Sequence, residues 1–157
     1  MRKRGWWLGL ILLACAPALA ACPPAGQGRA ALQALKAAGF AVADPAGKQA
    51  LAMSLVDCLG SPDPVLRDGI AYEALQHWMR AGDFDAPFLR RLREALYAAL
   101  DADDASGVRR PFAALVLAEI ARTDRVAPWM SPAEREAMLA RATAYLGSVR
   151  DYRGFEA

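Results

Sequence analysis

The chain reads as an all-α fold of antiparallel helical hairpins stacked into a short superhelix, preceded by a signal peptide. Three observations predict it. No stretch sustains the apolar/polar alternation of a half-buried strand, and no tight hairpin turn links β-branched runs. Apolar residues recur instead at i, i+3 and i+4, between Asp-Pro or Ser-Pro starts and glycine stops. The starts themselves recur: 41 residues separate Asp44 from Asp85, and 46 separate both Asp85 from Ser131 and Asp63 from Arg109.

The N-terminus comes first. Arg2, Lys3 and Arg4 precede an apolar run from Trp6 to Ala21, and Leu19-Ala20-Ala21-Cys22 has the form of a bacterial lipobox. Residues 1–21 are therefore expected to leave by cleavage between Ala21 and Cys22, with Cys22 lipidated. Cleavage after Ala18-Leu19-Ala20 is the alternative and gives a soluble product. A retained anchor needs roughly 20 apolar residues. Only 17 stand between Arg4 and Cys22, interrupted by Pro17.

A Pro/Gly linker over 22–28 leads to a first helix from Arg29 to Ala38, stopped by Gly39. Asp44-Pro45 supplies a cap and a first-turn proline for a second, ending at Gly60. Asp63-Pro64 opens a third, with the stripe Leu66, Ile70, Ala71, Ala74, Leu75 and Trp78, ended by Gly82. Asp85 caps a fourth, whose stripe is Phe88, Leu89, Leu92, Leu96 and Leu100. After a polar loop (101–107), a fifth helix from Arg109 carries Phe112, Leu115, Val116 and Ile120, with Pro111 tolerable in its first turn. Ser131-Pro132-Ala133-Glu134 is a capping box that opens a sixth, ended by Gly147. Alternate helices thus recur at the spacing of HEAT and armadillo units, and residues 29–157 form one helical-repeat domain of six helices.

Charge and cysteine count narrow the function classes. Three of the 19 basic residues leave with the leader, so 16 basic face 17 acidic residues and the remaining 136 carry a net −1. No basic face for nucleic acid is expected. With Cys15 removed and Cys22 acylated, Cys58 would stand alone as a buried thiol in the pattern Leu51, Leu55, Cys58, Leu59, with no disulfide available.

The run Leu59-Gly-Ser-Pro-Asp-Pro-Val-Leu-Arg-Asp-Gly-Ile-Ala-Tyr-Glu73, with Trp78, resembles a bacterial family known as Domain of Unknown Function 2785. Further blocks are Arg110 to Ala114, Ala118 to Asp124 with Pro128-Trp129, and Val149 to Phe155. The resemblance implies an all-helical, HEAT-like fold and brings no activity, cofactor or catalytic residue. Members of that family continue past the last block, so the chain is expected to be a shortened form of a longer protein. Its sixth helix would then leave an apolar side uncovered, inviting self-association.

Candidate chemistry is sparse. His77 is the only histidine, and no metal-ligand spacing, nucleophile elbow or phosphate loop occurs, so no metal or cofactor is expected. Asp101, Asp103 and Asp104 read as a solvated loop. One polar constellation remains: Glu73 and His77 are i, i+4 on the third helix, with Arg67 and Asp68 in its first turn, and Glu119 and Arg122 lie on the fifth. In stacked hairpins these helices are neighbours, and the six residues would line a groove. Structural ion pairing across the stack is the plainer role for such charges, and Trp78, Trp129 and Phe112 read as packing. The expected function is an exported lipoprotein of the cell envelope, facing the periplasm and anchored in the membrane by its lipid, whose helical repeats bind a protein or peptide partner. The alternative is a hydrolase or transferase in which Glu73 and His77 do acid/base work.

Overall fold

A computed structural model describes residues 22–150; residues 1–21, with the expected signal peptide and its cleavage site, and residues 151–157 lie outside the described residues. Six helices and no strand occur among the described residues. They are α1 (Arg29–Ala37), α2 (Pro45–Cys58), α3 (residues 64–81), α4 (Ala86–Asp101), α5 (Arg109–Val126) and α6 (Pro132–Ser148).

The starts follow the local chemistry read from the sequence. The Asp44 carboxylate accepts from the Ala46 and Gly47 amides, Asp63 from Val65 and Asp85 from Phe88, each ahead of a proline in the first turn. Ser131 and Glu134 form the reciprocal capping box, with Glu134 accepting from the Ser131 amide at 2.7 Å. Gly82 closes α3 in the left-handed region at φ 76°, which costs a glycine nothing. Phe40 adopts φ 57° in the α1–α2 turn, unusual for a bulky residue, and its carbonyl accepts from the buried Trp78 indole at 2.9 Å. That bond pins the turn to the core.

Helix α3 differs from a uniform α-helix. Residues Arg67–Tyr72 form a wider π turn between two α segments. Gly69 lies within it, where an added Cβ would meet the Lys36 ammonium of α1 at 3.3 Å. Helix α1 packs on this turn. The expected apolar stripe of α3 is buried in full, as is that of α4. In α5, Val116 and Ile120 are buried but Leu115 is 46% exposed, and Ala113 and Leu117 take the inward positions instead.

Phe40, Trp78 and Phe84 stack edge to face through the centre, with successive centroids 6.3 and 6.1 Å apart, and Phe88 continues the row in a tilted contact with Phe84 at 4.5 Å. Helix α2 packs on α3 and α4, α3 on α5, and α4 lies along α5. Polar bridges join the helices at separations in the chain that run from Lys48–Asp83 at 35 residues, through Arg80–Glu119 at 39, Arg93–Glu134 at 41 and Arg91–Gln49 at 42, to Arg90–Glu134 at 44. Helix α6 is held by such bridges with no buried residue of its own, and Leu139 and Leu146 on it are 68% and 73% exposed.

One expectation is corrected here. Cys58 is fully buried, as the apolar pattern implied, but it is not a lone thiol: it is disulfide-bonded to Cys22, with Cα atoms 5.0 Å apart. The 22–28 segment is accordingly docked on the domain, with Pro24 buried and its carbonyl accepting from the Gln27 amide at 2.9 Å. The elimination that left Cys58 alone rested on the lipobox, which assigned Cys22 elsewhere.

Candidate functional site

The contact between α3 and α5 brings together part of the expected constellation. Glu119 projects from α5 into this seam and is 7% exposed. The Arg80 guanidinium donates to both of its oxygens, 3.1 Å for the Nε contact, and Gln76 adds a 3.2 Å bond while also donating to the Tyr72 hydroxyl at 2.8 Å. Hydrogen bonding from Arg80, reinforced by Gln76, holds the Glu119 carboxyl below the usual carboxylate range against the opposing effect of burial. Glu119 is thus committed to joining two helices.

Glu73 and His77 share the adjacent surface without meeting. The Glu73 carboxylate takes the Lys36 ammonium at 2.8 Å, and no hydrogen bond among the described residues joins it to His77. His77 is exposed, its ring 5.8 Å from that of Phe40. Arg67 and Asp68 form their own pair at 2.6 Å near the start of α3, where Arg67 also donates to the Ser61 carbonyl at 3.1 Å and covers the Phe112 ring at 5.0 Å. These two line neither hollow of the α3/α5 face.

Arg122 stands apart from this pattern. Among the described residues it makes no ion pair and no hydrogen bond, although its charge helps to lower the Glu119 carboxyl. It lines a cleft of about 410 Å³ where the C-terminal ends of α3 and α5 meet the start of α4. The floor and walls are Met79, Phe84, Leu89, Val126, Pro128 and Trp129, and the charged groups on the lining are Arg80 and Arg122, with no carboxylate. Arg80 also borders the shallow hollow beside Phe40, Glu73 and His77, so the two recesses adjoin.

Trp129 forms a fixed wall of the cleft. Its indole N–H donates to Thr123 Oγ1 at 3.0 Å, its amide to Asp124 at 2.8 Å, and the Arg90 and Arg93 guanidinium groups lie over its ring at 5.4 and 5.9 Å. Arg90 further donates to the Trp129 carbonyl at 2.7 Å and to Glu134 at 3.0 Å, tying the wall to α4 and α6. Sequence reasoning placed Trp129 in packing and passed over Arg80, Gln76 and Thr123. The available signal was position: Gln76 and Arg80 stand i, i+4 on the face that carries Glu73 and His77.

The acidic loop behaves as local structure. Asp104 accepts from the Ser106 hydroxyl at 2.8 Å and the Arg110 amide at 2.9 Å, and Asp101 pairs with Arg141. Among the described residues no group of histidine, cysteine or carboxylate side chains is arranged to hold a metal, and no helix is long and apolar enough to cross a membrane.

Residues 96–157, from within α4 through α6 to the end of the sequence, match a family described as a protein of unknown function, DUF2785. The match includes Glu119, Arg122 and Trp129, and the Leu59–Glu73 run lies before it. No curated protein and no solved structure matches the chain.

Proposed function

We propose that the chain, which matches that family of unknown function over residues 96–157, is an exported helical-repeat protein that binds a protein or peptide segment in the cleft between α3 and α5. The observation that carries the binding reading is the cleft lining: an apolar floor rimmed by two guanidinium groups with no carboxylate. Its partner is a segment bearing an apolar side chain beside a carboxylate. Arg80 is already engaged by Glu119, so Arg122 is the group with donors to offer.

HEAT-like stacking is supported by those bridges that span 39 to 44 residues. Equivalent positions of successive repeats lie about one repeat apart in sequence and side by side in space, so cross-helix partners in a solenoid fall near the period of roughly 40–47 residues. Contacts of α2 with α4 and of α3 with α5 follow the same alternation. Such a stack leaves one row of helices as an extended face for a partner. The acid/base alternative has no comparable support, because Lys36 holds Glu73 and Arg80 holds Glu119.

A photo-crosslinking side chain tests the assignment. Val126, in the cleft, and Leu139, on α6, are equally exposed at 68%. Benzoylphenylalanine at Val126 is expected to trap a discrete partner in cells, and the adduct is expected to vanish when Arg122→Glu is added. Equal trapping at Leu139, or none at Val126, would remove the cleft as the binding site.

A further inference from the structure

We infer that Cys22 is a half-cystine of the folded domain and not a lipid attachment site, so that the precursor is cut between Ala20 and Ala21 and released as a soluble protein. This rests on the export reading above and decides what that reading leaves open.

One sulfur cannot serve both fates. Lipidation converts the Cys22 thiol to a thioether with a glyceryl carbon, whereas the structure joins the same sulfur to Cys58. The surroundings favour the second fate. Cys58 ends α2 and is fully buried, and Cys22 packs against the core beside it. The next residues continue the docking, with Pro24 buried and the turn to Gln27 closed. A lipid on Cys22 requires the chain end to leave this seat and reach a bilayer. It also strips Cys58 of its partner inside the core.

The alternative processing site is in the sequence. Ala18-Leu19-Ala20 presents small residues at the two positions a general signal peptidase reads, and hydrolysis there leaves Ala21 as the new N-terminus, one residue before the bridge. Closing the bridge removes two protons and two electrons from the Cys22 and Cys58 thiols. A protein disulfide of the exported compartment accepts them and is reduced to its dithiol. Cys15 departs with the leader, so the two remaining cysteines have only each other.

Intact-mass analysis and N-terminal sequencing test this on the wild-type precursor expressed in a bacterial host that has both the general and the lipoprotein signal peptidase. The expected product begins at Ala21, stays in the aqueous phase of a Triton X-114 separation, and takes up no iodoacetamide until reduced, after which it takes two equivalents. A product beginning at Cys22, carrying a diacylglyceryl mass and entering the detergent phase, overturns the inference and leaves the export reading intact. An uncut cytoplasmic chain with free thiols overturns both.

Discussion

Replacing Asp124 with alanine is expected to destabilise the domain by about 1–3 kcal/mol, the range for leaving a buried donor without its acceptor. The reason is the number of groups that one buried carboxylate serves. Its Oδ1 accepts from the Trp129 and Met130 amides at 2.8 and 2.7 Å, and its Oδ2 accepts from Arg135 Nε at 2.6 Å. Alanine leaves the Met130 amide buried without an acceptor and frees the link between α5, the 127–131 turn and α6. Asp124→Asn keeps an oxygen for the two amides and is expected to cost less. Chemical denaturation of the two variants checks the order, and equal losses would contradict it.

The same residues set an acid limit. Hydrogen bonding from Arg135 holds the Asp124 carboxyl well below its ordinary range against desolvation, and the Ser131 amide, followed by Arg90, lowers that of Glu134 to about 2. Both groups bind protons more weakly folded than unfolded. Their contribution is therefore complete above the unfolded values near 4, and is lost as pH falls from about 5 toward 2. Asp124→Asn is expected to flatten that descent, while an identical pH profile in the variant would show that other groups control it.

Opening the Cys22–Cys58 bridge is the second large effect. The bond closes a separation of 36 residues, and restoring that freedom to the unfolded chain is worth about 4 kcal/mol in the loop-entropy account. For a domain of this size the corresponding fall in Tm is roughly 10–15 °C. Melting curves of the purified protein with and without a phosphine reductant measure it, with Cys58→Ser as the permanent counterpart. Superimposable curves would mean that the bridge does not constrain the unfolded chain.

How much of this was legible depended on the range of the interaction. The caps at Asp44, Asp63, Asp85 and Ser131 are decided within three residues, and all four could be read directly from the sequence. The stripes of α3 and α4 are one-sided, so their burial followed. Leu115 was misplaced because α5 is apolar on more than one face, and the choice between Leu115 and Leu117 is made by α4 packing along it. The π turn of α3 had no local mark beyond Gly69, since the approach of α1 is a tertiary fact. The disulfide was hidden by a motif that assigned Cys22 to another chemistry. At the site, the neighbourhood of Glu119 with α3 followed from the repeat spacing. Its partner Arg80 could have been found by asking which cation lies about one repeat earlier.

Titration of short peptides into the purified protein tests most directly the claim that Arg122 makes the cleft a receptor for a carboxylate. An N-acetylated tetrapeptide ending in leucine as the free acid is expected to bind about tenfold more tightly than its amide, one charge-assisted contact being worth at least that factor. Arg122→Gln should abolish the preference without unfolding the protein, since Arg122 makes no ion pair or hydrogen bond among the described residues. Acid and amide binding equally well, or a preference that survives Arg122→Gln, would contradict the account.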